Sequence, residues 1–80
     1  MIYYIIRFTV PGGGTLYAAW SKKGKGSWTF ATEGITARRF KSERVAKRVA
    51  ENSPPFQEMV AEGCTFEIVK ITEEEVAEAT

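Results

Sequence analysis

The chain opens with an alternation. Ile2, Tyr4, Ile6, Phe8 and Val10 are all apolar, whereas the odd positions pass to Arg7 and Thr9. Period two over β-branched and aromatic residues predicts a strand with its even face inward. Pro11-Gly12-Gly13-Gly14 stops it, because proline lacks an amide donor and glycine permits positive φ. Residues 15–20 predict a second strand antiparallel to the first. Residues 21–26 read as a loop and 27–32 as the returning strand, on which Trp28 and Phe30 share a face. Residues 35–40 read either as a short strand or as an irregular run into a helix, with Ala37 and Phe40 turned to the core.

Ser42 then has the character of an N-cap, and Glu43 suits the positive end of a helix. At about 100° per residue, Val45, Ala46, Val49 and Ala50 share one arc, with Arg44, Lys47, Arg48 and Glu51 opposite. Ser53 can cap a second, shorter helix whose first turn holds Pro54 and Pro55, where a missing amide hydrogen costs little. Phe56, Met59 and Val60 share a face of it, and Gly63 provides the stop. Residues 64–72 form the last strand. Thr72 with Glu75 could make a capping box for 73–79, but so short a terminal helix is marginal in water and should fray. The order β-β-β-(β)-α-α-β predicts one α+β domain over residues 1–72, followed by an acidic, frayed tail over 73–80. Its sheet should be three- to four-stranded and mainly antiparallel, with one long and one short helix packed on one face and the first strand central beside the last. The expected core is Ile2, Tyr4, Ile6, Phe8, Phe30, Phe40, Val45, Val49, Phe56, Val60, Phe66 and Ile68.

Composition narrows the chemistry. The 80 residues are 44% hydrophobic and 12% aromatic, enough for a packed core. A chain this small nevertheless holds only about 3–5 kcal/mol in hand. Cys64 is the single cysteine, so no internal disulfide forms, and it reads as a small buried residue rather than a thiol nucleophile. His and Asp are both absent, which removes imidazole acid–base catalysis, the Ser-His-Asp triad and the standard zinc ligand sets. Pro11-Gly12-Gly13-Gly14-Thr15 lacks the Gly-Lys-Ser/Thr ending of a phosphate loop. No catalytic residue, metal or cofactor is therefore expected, and the protein is read as no enzyme. No apolar run approaches the ~20 residues of a membrane span, and Met1-Ile2-Tyr3-Tyr4 lacks a basic leader. These features predict a cytoplasmic binding domain without membrane contact, monomeric or homodimeric.

Charge is divided along the chain. Residues 1–48 carry ten cations against Glu33 and Glu43, a balance of +8, whereas 49–80 carry Lys70 against eight glutamates, a balance of −7. Either the first part presents a basic face to an anionic partner, or the two parts neutralise each other on folding. Two basic groups stand out. Lys22, Lys23 and Lys25 lie in a glycine-relaxed loop between Trp20 and Trp28, the ingredients of single-strand nucleic-acid binding through phosphate attraction and base stacking. The alternative is that both tryptophans serve the core, Trp28 the better candidate, and the lysines keep a loop soluble. Arg38, Arg39 and Lys41 precede the first helix, and Arg44, Lys47 and Arg48 line its outer arc. Arginines suit bidentate recognition of phosphate or carboxylate, on nucleic acid or on an acidic protein patch. Alternatively Glu58, Glu62 and the tail fold across and satisfy them.

One run of residues carries a resemblance: Trp28-Thr29-Phe30, then Ala37-Arg38-Arg39-Phe40-Lys41-Ser42, Val45-Ala46 to Ala50, and Glu67-Ile68-Val69-Lys70-Ile71. Over roughly residues 28–71 this layout resembles small phage and prophage proteins. In size and layout it is similar to the anti-CRISPR inhibitors, particularly those directed at type I (Cascade) systems. The resemblance implies a stoichiometric inhibitor, working in the host cytoplasm, that occludes the DNA-binding surface or a subunit interface of the effector complex. It carries over no catalytic residue. Imitation of nucleic acid would fall to the −7 segment, and the +8 segment would grip an acidic subunit surface, guide RNA or DNA. Two other classes stand beside it. One is a small nucleic-acid-binding protein using the Trp-flanked hairpin. The other is a homo-oligomeric phage structural or assembly protein, suggested by thin stability and leftover apolar strand faces.

Overall fold

The computed structural model describes residues 1–73. Strands β1 (Ile2–Thr9), β2 (Thr15–Ser21), β3 (Ser27–Ala31) and β4 (Thr65–Thr72) form one antiparallel sheet in the order β3-β2-β1-β4. Helices α1 (Glu43–Asn52) and α2 (Pro54–Ala61) cover one face of it. The architecture is α+β with β1 central beside β4, as the alternation pattern predicts. The short helix expected at 73–79 lies, beyond Glu73, outside the described residues.

β1 pairs with β4 along its whole length, from Ile2 opposite Thr72 to Thr9 opposite Thr65. Its other edge meets β2 only at Arg7–Thr9, after which the two strands part. Buried backbone groups need partners, and residues 38–40 supply them. Phe40 exchanges two 2.8 Å hydrogen bonds with Tyr4, while the Arg38 amide donates to the Ala18 carbonyl at 2.9 Å. The ambiguous stretch before α1 is thus a 3-10 turn, Gly34–Thr36, followed by a single bridged residue wedged between β1 and β2.

The even residues of β1 face the helices. Phe8 and Phe56 are fully buried and meet at 5.2 Å between ring centroids, with Phe30 and Phe66 against Phe8 at 5.8 and 6.1 Å. Trp28 joins this cluster, 4.9 Å from Phe56 and 6.2 Å from Phe40. Ala46 and Ala50, at most 1% exposed, let α1 sit close to the sheet. Val49 is half-buried beside them, which turns Val45, about 140° round the helix from Ala50, to the rim at 49% exposed. Val60 likewise stands at 43% exposed, because α2 turns its Phe56–Met59 side inward. Ile2, in the first pair of the ladder, is 52% exposed. These three leave the expected core. Ile5, Ala18 and Ala19 enter it instead, Ile5 at 4% exposed on the face away from the helices.

The helix ends follow local chemistry. Ser42 Oγ accepts from the Val45 amide at 3.4 Å, the cap its sequence position suggests. Ser53 makes no side-chain cap, and its carbonyl instead accepts from Phe56 and Gln57. Gly63, at φ +101°, closes α2 in a conformation that a side chain resists. Cys64 is buried at the entry to β4.

Candidate binding surface

The basic residues expected to act as two groups are sorted by the backbone into three. In an extended segment successive side chains point to opposite sides, so neighbours Arg38 and Arg39 part company. Arg38 turns to the tryptophans, its guanidinium carbon 5.1 Å from the Trp20 ring centroid and 5.7 Å from that of Trp28. Arg39 turns to the far face, 4.3 Å above the Tyr3 ring and 3.6 Å from a Glu73 carboxylate oxygen.

The first group is the β2–β3 hairpin. Trp20 and Trp28 are a cross-strand pair, edge to face at 5.1 Å. Trp28 spends its ring on Phe40 and Phe56, leaving Trp20, 38% exposed, as the accessible indole. Gly26 fixes that indole: its φ is +86°, and a β-carbon there would lie 2.7 Å from Trp20 Cζ2. Lys22, Lys23 and Lys25 stand exposed around the turn, with the Gly26 amide donating to the Lys23 carbonyl at 3.1 Å. Arg38 adds a fourth cation, held by cation–π attraction.

The second group is the outer arc of α1. Arg44, Lys47 and Arg48 line a shallow surface depression with Glu43, Glu51 and Asn52, and Lys41 is exposed just ahead of it. Helix stability does not explain these cations. Arg44 sits in the first turn, where the helix end is already positive, and the last turn holds no basic residue. Arg44 and Arg48, four apart, repel each other modestly. Lys47, four residues from both Glu43 and Glu51, and Arg48, three from Glu51, do have acidic neighbours on the helix surface.

The third group is already paired. Among the described residues the salt bridges are Arg7–Glu67 and Arg39–Glu73. The remaining cations of both predicted groups have no carboxylate partner among those residues, and neither Glu58 nor Glu62 folds across to them. The Tyr3 hydroxyl donates to Glu73 Oε1 at 2.9 Å, and this bond, with some loss of solvent, holds the phenol pKa above its ordinary value against the nearby Arg39 charge.

A feature the charge pattern does not reveal lies on the sheet face opposite the helices. Tyr3, Ile5, Tyr17, Ile35, Val69 and Ile71 line a groove of about 320 Å³ between the two ion pairs. Its signal in the sequence is the broken alternation at Ile5-Ile6 and Ile68-Val69, where both faces of a strand become apolar. No cluster of three or more metal-ligating side chains occurs among the described residues, and no helix there is long and apolar enough to cross a membrane. Comparison with protein-family models, curated proteins and solved structures finds no match to the chain.

Proposed function

We propose that the protein works by binding rather than by chemistry, and that the basic outer arc of α1 anchors it on an anionic macromolecular surface. One observation carries this reading: Arg44 and Arg48 stand exposed on α1 and form no salt bridge among the described residues, Arg44 at the helix end that is already positive. Arginines so placed are free to grip phosphate or carboxylate bidentately. With the resemblance of residues 28–71 to type I anti-CRISPR inhibitors, the partner we propose is a type I effector complex whose access to target DNA is blocked.

The test is a charge reversal. Arg44→Glu with Arg48→Glu should abolish co-purification with the effector complex and the rescue of phage plaques. Circular dichroism should stay native, since surface charge changes move stability by about 0.5 kcal/mol or less. Interference left untouched by the wild-type protein across type I subtypes would sink the inhibitor reading.

A second reading is favoured by Arg38, which joins Trp20 and the hairpin lysines in one cationic, aromatic corner. It makes the protein a direct binder of single-stranded nucleic acid. It requires a gel shift that weakens steeply as salt rises and that Trp20→Ala diminishes.

A further inference from the structure

The groove on the open sheet face is ordered by charge as well as by shape. Ile35 projects from the 3-10 turn on the β2 side and is 77% exposed, whereas Val69 and Ile71 stand half-buried on β4. An ion pair closes each end, Arg7–Glu67 toward the Pro11 loop and Arg39–Glu73 beside Met1. In both pairs the arginine comes from β1 or from the segment wedged between β1 and β2, and the glutamate from β4 or its extension. The groove therefore has an arginine-and-isoleucine side and a glutamate-and-valine side.

We infer that this face binds a second copy of the chain. A two-fold axis parallel to the strands, between two facing sheets, lays the β2 side of one copy over the β4 side of the other. Ile35 then meets Val69 and Ile71 of the second copy, and each arginine faces a glutamate. Such an interface is isologous, every contact being made twice, and the projecting turn of each copy packs on the β4 side of the other. Among the described residues the patch holds two arginines and two glutamates, so these side chains give it no net charge that would repel its own copy. Its area limits the affinity. Strands of seven or eight residues, three abreast, span about 400 Å² at ordinary strand spacing and rise, roughly half of the ~800 Å² per partner of a standard interface. The dimer is therefore weak and concentration-dependent, with Kd in the micromolar range. It shares no residue with the α1 arc, so either proposal can fail while the other stands.

Sedimentation equilibrium on the full chain tests it. The mean mass should climb from 8.9 kDa toward twice that value as concentration rises, and Ile35→Glu should hold it at the monomer. Because Ile35 is largely exposed, this variant reads the interface even where an ion-pair variant fails to fold. Arg7→Glu and Glu67→Arg should each be monomeric alone, and an equimolar mixture should restore a dimer, since an acidic patch then meets a basic one. A wild-type chain that stays at 8.9 kDa up to about 1 mM, far above a micromolar Kd, overturns the proposal. So does a dimer that survives all three substitutions, or folded single variants that do not associate on mixing. Perturbation of Tyr3 and Tyr17 by an added peptide, with the chain monomeric, would assign the face to that other occupant.

Discussion

The two faces of the sheet share four strands but are built differently. On the helix side Phe8, Phe30, Phe40, Phe56, Phe66 and Trp28 pack ring against ring under α1 and α2. On the open side, among the described residues, a smaller apolar set is covered by Tyr17 and the 3-10 turn, and ion pairs rather than helices bound it. Volume fixes the first face; each ring fills space no other side chain could occupy without a void. The second face is specified by charge order and stays accessible. One face therefore holds the fold, and the other can meet a partner.

The sharpest break of this contrast is Phe56→Ala. Removing a fully buried ring that touches Phe8, Phe30 and Trp28 should cost about 3–5 kcal/mol, as much as the ~3–5 kcal/mol a domain this small holds. In a urea titration followed by circular dichroism, the variant should be largely unfolded before denaturant is added. Ile5→Ala should do less. Its side chain is 4% exposed but lies beneath an open groove. Water can refill part of the space, so the loss belongs at the low end of such substitutions, about 2 kcal/mol. A loss equal to that of Phe56→Ala would mean that the open face is as much core as the other.

How much of this could be read from the sequence depends on the range of the determining contacts. The strand alternation, the Ser42 cap and the shared face of Trp28 and Phe30 are set within a few residues, and the structure keeps them. Ala37 and Phe40 point inward as read, because Phe40 is tied to Tyr4 by two backbone hydrogen bonds. Val45 and Val60 were legible only as members of an apolar arc. Which edge of the arc faces the sheet depends on how α1 and α2 dock, and periodicity does not specify that. The separation of Arg38 from Arg39 needed residues 38–40 to be recognised as extended, and their partners lie some twenty and thirty-six residues back, at Ala18 and Tyr4. For the α1 arc, sequence showed which residues are basic and on which side of the helix. That none of them forms a salt bridge among the described residues, despite Glu43 and Glu51 beside them, is a property of the fold.

The smallest effect tests whether charge order on the open face is a real constraint. Tyr3 donates to Glu73 while Arg39 lies over its ring. The hydrogen bond needs the neutral phenol, so folding raises the Tyr3 pKa above that of the unfolded chain. The sign follows from linkage: the contribution is complete below the ordinary tyrosine value of about 10 and is lost as pH rises through the higher folded value. In an ultraviolet titration of the folded protein, Tyr3→Phe should remove a phase that ionises above that value. Glu73→Gln, which lacks the carboxylate charge, should move that phase down without removing it. Stability of the wild type and of Tyr3→Phe should then converge at alkaline pH while differing slightly near neutrality. If Tyr3 titrates at the ordinary value in both the wild type and Glu73→Gln, the Arg39–Tyr3–Glu73 arrangement is not held in solution. The Met1 end of the groove would then be open, and the second ion pair would no longer direct how two copies meet.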